Sequence, residues 1–423
     1  MHAIHQSTSR TSQRIVIVGA GIGGLLAATF LLGIDAEIVV LPQPMTPARK
    51  RFFPGLFALD DLRAAGVEHL AEGVVGITAV TQVMRDAEAE QRDEVPVAWV
   101  PLEHGEVLDA LEANLRESGV VVQDGFTATT LLQDAGQVVG VLDHATSRQV
   151  AADIVILGDE ADPRLAEQVG LRPDWLPTQL MHLGKERFAA TPAEIADRFG
   201  RPDGGLRMIS LRYRSEWGAW GHALVIPQAD SFTIVAAMLL EEEMRAARHI
   251  REFLDEVEAT PVISALTDGL VADGFFTEVV PVGGFEERRR FHTDGFLVAS
   301  DLVGVTNPLN RDGLSLNLRV AAAAAMTAGE VVRLRDGEAM NLAAHSRRIS
   351  QEIITPIQFR QRQHRSFKDR PAWEWATFPE LVPGWDEVTV SGISATLPPN
   401  QSSGLWGRVR RIRRQRVSGQ TRH

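Results

Sequence analysis

Apolar positions cluster along this chain with changing period, and the first changes are the most informative. Ile15–Val18 is a short continuous apolar run, Ile22–Leu32 is apolar at nearly every position, and Ile38–Leu41 is a second short run. Short apolar runs bounded by turn residues are the signature of buried strands, and the longer run that of a buried helix. The pattern predicts a strand, a glycine turn, an apolar helix and a second strand over residues 14–41. Further on, Leu59–Leu70 reads as a short helix, and Val107–Glu117, with apolar positions 107, 108, 111 and 115, as an amphipathic one.

From Val120 the period shortens. Val120–Val122, Thr127–Leu132, Val138–Leu142 and Gln149–Ala151 read as short strands between turn residues, followed by a continuous apolar strand in Asp153–Gly158. A helix around Arg164–Val169 precedes the break at Gly170–Pro173. Residues 175–285 alternate strands (Leu206–Arg212, Ala223–Pro227, Phe232–Met238) with helices (Pro192–Phe199, Glu241–Glu256), the texture of a separate α+β domain. Asp294–Asp301 is again a strand, Asn307–Gly313 a turn-rich loop, and Leu314–Leu334 a long alanine-rich helix.

The first turn carries the chemistry. Gly19, Gly21 and Gly24 form G-x-G-x-x-G between strand and helix, with Ala20, Ile22 and Gly23 between them. In this context the first glycine permits the tight turn and the second lets backbone approach a pyrophosphate. The third lets helix and sheet pack closely, and the helix N-terminus faces the phosphates. The acid that such units place at the end of the second strand, for the adenosine ribose, is missing. Leu41, Pro42 and Gln43 occupy that end, and Asp35 and Glu37 fall before or inside the strand. A second anion-facing constellation follows the later strand: Asp301, then Gly304, Gly313 and the helix start at Leu314. Two such sites far apart in sequence favour one large dinucleotide held between them, FAD rather than NAD.

Composition narrows the alternatives. The 423 residues are 44% hydrophobic and 23% charged, those of an ordinary globular protein with room for two or three domains. The absence of cysteine excludes disulfides, thiolate nucleophiles and an iron–sulfur cluster carried on this chain. Ile15–Ile34 is uncharged, but its glycines and flanking strands favour a buried βαβ unit over a membrane span, so a cytoplasmic protein is expected. Net charge is −12, yet residues 408–423 hold seven arginines and no acid, leaving −19 on the rest. An acidic body argues against nucleic acid as a partner. In the tail, Leu405, Val409 and Ile412 share a helical face with Arg416. This reads either as an interfacial helix, giving peripheral membrane contact or docking for an acidic partner, or as a solvated terminus.

The order of pieces resembles the FixC-like FAD-dependent oxidoreductases, related to electron transfer flavoprotein–quinone oxidoreductases and, more distantly, to geranylgeranyl reductases. Beyond the glycines, the resemblance rests on Ala152–Asp159 with Leu165–Pro173, on Gly184-Lys-Glu186 with Thr191–Phe199, and on Val280–Gly284 with Asp294–Gly304. Lys368-Asp369 and Phe378–Leu381 carry a weaker echo. It implies an α/β fold in which a discontinuous Rossmann-like FAD-binding domain (14–174 and 286–340) accepts an inserted α+β substrate domain (175–285). A disordered N-terminus (1–13), a C-terminal helical region (341–404) and the basic tail (405–423) complete the expected organisation. It further implies FAD with its pyrophosphate on Gly19, Gly21 and Gly24, and Asp301 at the ribityl or pyrophosphate region. The 304–314 loop would lie near the isoalloxazine. Electrons or hydride would pass between an electron-transfer flavoprotein and a quinone or small organic acceptor, and a ferredoxin-like subunit would have to supply any iron–sulfur centre.

The chain departs from that family at Ser300, where a glycine is usual, and at Gly158-Asp-Glu160, which replaces Ala-Asp-Gly. No arginine follows near Pro54-Gly55. Two other readings therefore stay open: a flavin-dependent tailoring reductase or monooxygenase acting on a lipid or aromatic metabolite, and a flavin-free scaffold. No catalytic residue is assigned. Gly313–Asn317 falls short of a nucleophile elbow, and the histidines show neither H-E-x-x-H nor metal-ligand spacing, so no metal is expected. His182, His222, His292 and Lys185 are candidate proton carriers, each more simply a packing or surface residue. Trp217 and Trp220 suit either a planar pocket or core packing.

Overall fold

The computed structural model describes residues 13–43, 54–85, 90–158, 164–171, 175–282, 290–300, 314–334 and 339–351. The N-terminal residues 1–12, the loop with Asp301, Gly304 and Gly313, the C-terminal helical region beyond 351 and the basic tail lie outside them. In chain order the elements begin with β1 (Gln13–Val18), α1 (Ile22–Leu31), β2 (Ala36–Leu41), β3 (Pro54–Ala58), α2 (Leu59–Ala65), β4 (Ile77–Arg85) and β5 (Glu90–Glu103). Then follow α3 (His104–Glu117), β6 (Val121–Val122), β7 (Thr130–Asp134), β8 (Gln137–Asp143), β9 (Arg148–Ala151), β10 (Ile154–Leu157) and α4 (Arg164–Glu167). The second half holds β11 (Leu180–Ala189), α5 (Pro192–Phe199), β12 (Leu206–Arg214), β13 (Trp220–Pro227), β14 (Ser231–Leu239), α6 (Leu240–Ala246), α7 (Ile250–Glu258), α8 (Pro261–Thr267) and β15 (Ala272–Pro281). The chain closes with β16 (His292–Thr293), β17 (Phe296–Val298), α9 (Leu314–Leu334) and α10 (Ala339–Ile349).

The apolar runs become a sheet ordered β16-β17-β10-β1-β2-β6, in which β17, β10, β1, β2 and β6 are parallel. Strands drawn from both ends of the sequence meet here, which makes this α/β unit discontinuous. One face is covered by α1, α3 and α9, where Ile15, Ile17, Leu25, Leu26, Leu111, Ala321, Ala324 and Ala328 share a core. The alanine run of α9 lets it pack directly on α1. The other face lies under the antiparallel β7-β8-β9 sheet and α4, with Val16, Val18, Phe126, Leu131, Val141, Val155 and Leu165 in contact. Because α1 touches neighbours on all sides, its uniformly apolar sequence is what burial requires.

The second layer is an eight-stranded sheet ordered β15-β11-β14-β13-β12-β4-β5-β3, antiparallel except for β12 on β4. Helices α5, α7 and α8 cover one face through Phe199, Phe253, Leu254, Val257 and Ile263. Its last three strands come from residues 54–103, inside the span expected to belong wholly to the nucleotide-binding domain. The prolines of β5 explain how this stretch is a strand. Pro96 lies where β5 pairs only with β4, and Pro101 where it pairs only with β3, so neither proline sits between two partner strands. Phe57 and Leu102 belong to the core of the parallel sheet while Ala58 and Trp99 belong to the other, so β3 and β5 join the two layers.

The helix expected over Glu241–Glu256 is two. Ala247 adopts the left-handed conformation (φ 51°) and ends α6, and His249 starts α7 with Glu252 completing a capping box. The helical stretch from Leu59 stops at left-handed Gly66 and resumes as a 3-10 turn over Glu68–Ala71. The uncharged stretch 15–34 is split between β1 and α1, and no described helix is long and apolar enough to cross a membrane.

Candidate functional site

The turn between β1 and α1 is built from backbone. Gly19 leaves β1 with φ 99°, a conformation that favours glycine, and its N–H donates to Leu41 O at 2.9 Å, fastening the turn to the end of β2. Gly21 is the N-cap, with no side-chain cap and no acid in the first turn, so α1 presents backbone amides and the positive end of its dipole. A Cβ on Gly24 would meet Gly19 O at well under 3.0 Å. Sequence reasoning missed a fourth glycine. Gly158 ends β10, its N–H donates to Val18 O at 2.8 Å, and a Cβ there would lie 2.6 Å from Gly24 Cα and 3.0 Å from Gly19 O. Three glycines from two strand ends and one helix thus touch backbone to backbone, leaving no side-chain bulk at their junction. Ala20 and Ile22 pack into the core beneath, and Gly23 is buried in α1.

The end of β2 explains the missing acid. Gln43 is buried, and its Nε2 donates to Leu41 O (3.0 Å), Pro42 O (3.2 Å) and Phe126 O (3.3 Å) while its Oε1 accepts from Ala128 N (3.1 Å). That amide stitches β2 to the segment before β7 and faces backbone rather than a ligand. Glu37 pairs with Arg14 at 2.6 Å, and its register opposite Arg14 puts it four residues, about 13 Å of strand, from the glycine turn.

Toward the second constellation, the chain continues from β17 through Ala299 and Ser300, both fully buried, and Ala299 N–H donates to Leu157 O at 2.7 Å. Leu314 is the first residue of α9. Helix α10 clamps this region: His345 Nε2 is 2.7 Å from Val298 O, and Ser346 Oγ meets His292 Nδ1 at 2.7 Å and accepts from Phe291 N at 2.9 Å. Burial pushes the His345 imidazole down to about 4, so it is neutral at pH 7. His292 is also lowered, by burial first and by Arg290 next.

On the eight-stranded sheet, side chains alternate between the helix-covered face and the opposite one. Glu186 and Phe188 of β11 point toward the helices, where Glu186 pairs with Arg251 at 2.8 Å. Lys185 and Arg187 point the other way. Lys185 is buried against Glu278, below the Phe276 ring, and Arg187 lies 3.7 Å from Glu103. Burial raises the Glu103 carboxyl above its ordinary range, partly offset by Gln228 and Arg187. His222 shares this face and meets Ser210 Oγ at 2.8 Å. Met181, Leu183, Ala237, Val280 and Val282 form an apolar cluster beside these polar groups. Trp217 sits edge-on to Phe253 on the helix side, and Trp220 lies beneath Arg212 and Arg214. His182 is on the helix side, 2.6 Å from Glu243.

No family model matches the chain. Curated relatives do, over most of both lengths. Protein FixC of Azotobacter vinelandii is 22% identical over 382 residues, covering 87% of this chain and 88% of the relative. A probable electron transfer flavoprotein-quinone oxidoreductase, YdiS of Escherichia coli, is 24% identical over 370 residues, 84% of each. Among solved structures, a geranylgeranyl bacteriochlorophyll reductase-like protein of Thermoplasma acidophilum superposes with TM-score 0.65 at 14% identity, covering 88% of each chain. The flavin-dependent halogenase CmlS gives 0.66 at 16% identity, over 97% of this chain and 78% of its own. The chain is thus similar to the FixC and quinone oxidoreductase group, and its fold is that of the FAD-dependent oxidoreductases and halogenases, with a Rossmann-like nucleotide-binding part.

Proposed function

We propose, from that kinship, that the chain is an FAD-dependent oxidoreductase. The observation that carries the reading is the contact of Gly19, Gly24 and Gly158 at the uncapped start of α1. A pyrophosphate needs close backbone approach and unblocked amides, and these residues, with no acid in the first turn of α1, fit it. Gly19, Ala20, Gly21, Ile22, Gly23 and Gly24 would hold the diphosphate. Asp301, Gly304, Gly313 and Leu314 would hold the flavin half. With Gln43 committed to backbone, the adenosine ribose would take its contacts from elsewhere.

FAD supplies hydride and electron transfer, and the protein's part is to orient it, exclude water and bind the acceptor. The nucleotide-binding part would be drawn from 14–174, without strands β3–β5, and from 286–340. The sheet of 175–285, extended by β3–β5, would cover it. The acceptor would lie on the helix-free face of that sheet, against Met181, Leu183 and Val280 and beside Lys185–Glu278 and His222–Ser210. The donor would be an electron-transfer flavoprotein and the acceptor a quinone or small organic molecule, with a ferredoxin-like subunit supplying any iron–sulfur relay. The lack of cysteine favours a second reading, a tailoring reductase or monooxygenase that needs no such relay. Reduction by electron-transfer flavoprotein, against turnover with NADPH and oxygen, separates the two.

The experiment is the visible spectrum of the purified chain, with the released cofactor identified after denaturation. Bands near ~370 and ~450 nm and recovered FAD are expected. A colourless protein that does not take up added FAD overturns the proposal in favour of a flavin-free scaffold.

A further inference from the structure

Helix α6 is held to the molecule in an unusual way. None of its seven residues is fully buried. Glu243 ties it to two neighbours. One carboxylate oxygen lies 2.6 Å from Nδ1 of His182, a buried side chain on β11, and the other accepts from the Ile250 N–H at 3.1 Å, at the start of α7. His249, just before α7, turns its ring edge-on to His182 with centroids 5.2 Å apart. One ligand atom from each of His182, Glu243 and His249 falls within 4.8 Å of the other two. Strand β11 and the α6–α7 segment therefore bring two imidazoles and one carboxylate together at a point that is buried on the His182 side and open on the His249 side.

The geometry points to a divalent-metal site formed by His182, Glu243 and His249, suited to zinc with water in the fourth position. The donor set decides the metal. Two imidazoles with one carboxylate match borderline transition metals, whereas calcium and magnesium take oxygen ligands. A tetrahedral ion with bonds near 2.0–2.2 Å holds neighbouring ligand atoms about 3.3 Å apart. Nδ1 of His182 and the Glu243 oxygen have to part by less than 1 Å from their present 2.6 Å to reach that separation. The remaining closure falls on His249, which is exposed. Its Nδ1 now accepts from Arg251 N–H at 3.2 Å as the side-chain cap of α7, a bond given up if the ring turns inward through that nitrogen. The second oxygen of Glu243 stays on the Ile250 amide, which fixes the carboxylate as the outer partners of metal ligands do. A bound ion would add a tie between β11, α6 and the start of α7 to the packing already there. The site lies on the helix-covered side of the sheet and does not depend on the flavin proposal.

The test uses the full chain as purified, with whatever flavin it carries, after chelator treatment and dialysis. Zinc chloride is titrated against a chromogenic chelator, with melting followed in parallel. One zinc per chain and a rise in melting temperature are expected. His249→Ala, which also removes the α7 cap and so lowers the metal-free melting temperature on its own, should weaken binding by roughly tenfold or more and remove the zinc-induced rise. Glu243→Gln should do the same, while His144→Ala, an exposed histidine elsewhere, should leave both unchanged. Absence of saturable zinc binding in the unsubstituted chain overturns the proposal, and so does His249→Ala binding zinc as tightly as the parent. Flavin content measured on the same samples reports separately on the cofactor.

Discussion

Gly158→Ala tests the glycine junction with the fewest confounding effects. Gly158 is buried and does not adopt a positive φ, so alanine meets no backbone penalty of its own there. Elsewhere such a change stabilises by about 0.4–1 kcal/mol, by restricting the unfolded chain. Here the added methyl would sit 2.6 Å from Gly24 Cα and 3.0 Å from both Gly19 O and Gly24 N. Ordinary contact begins at 3.4 Å, so β10 and α1 must separate by nearly 1 Å, and every atom in the way is backbone. Overpacking of this kind costs about 1–3 kcal/mol. That lowers the melting temperature by about 2–4 °C per kcal/mol for domains of 150–250 residues. The assay is urea unfolding of the flavin-free protein, so that ligand binding does not enter, followed by FAD titration. Weaker FAD binding should accompany the loss, because the displaced turn is the proposed diphosphate cradle. Gly24→Ala opens the same contact, so the double variant should lose less than the two single losses together. A Gly158→Ala protein as stable as its parent, with unchanged FAD affinity, refutes the close approach and the cradle argued from it.

Other outcomes follow from individual residues. Asp301→Ala should lower flavin occupancy, and full yellow colour in that variant removes Asp301 from the cofactor site. Burial and the neighbouring Glu186 push Glu258 up to about 8. The folded chain therefore keeps a proton that the unfolded chain releases near 4.5. This stabilising contribution is complete below 4.5 and lost as pH rises toward 8. Glu258→Gln should flatten that part of a melting-temperature profile, and an unchanged slope counts against the assignment. Phe253→Ala, which empties the contact among Tyr213, Trp217 and Gly221 under α7, should cost about 3–5 kcal/mol by urea unfolding. A chain ending at Gly404 should lose association with anionic liposomes if the basic tail is a membrane helix, and unchanged sedimentation sinks that reading.

How much the sequence disclosed depended on whether a local signal matched the global role. The β1–α1–β2 unit was legible because three apolar runs and three glycines agree on one arrangement, and β10 because four apolar residues are buried on both faces. Strands β4 and β5 were not. Their charged stretch Arg92-Asp93-Glu94 and two prolines oppose strand formation locally, and only single-sided pairing makes them compatible with a sheet. The break between α6 and α7 had no glycine or proline to announce it, since Ala247 takes the left-handed turn itself. Gly158 was visible only as a departure from the family pattern, and its contact with Gly24 belongs to the tertiary fold. The His182–Glu243 pair spans 61 positions, beyond any motif spacing.

Gln43 gives the β2 terminus a one-way character. Gln43→Glu would keep the acceptor for the Ala128 amide but set a negative oxygen, in place of the donating NH2, against the carbonyl oxygens of Leu41, Pro42 and Phe126. An acid at that one position therefore meets a local cost of unpaired acceptors before it can gain any ribose contact. Any engineer who wants that contact has to rebuild the 126–128 segment together with the strand end.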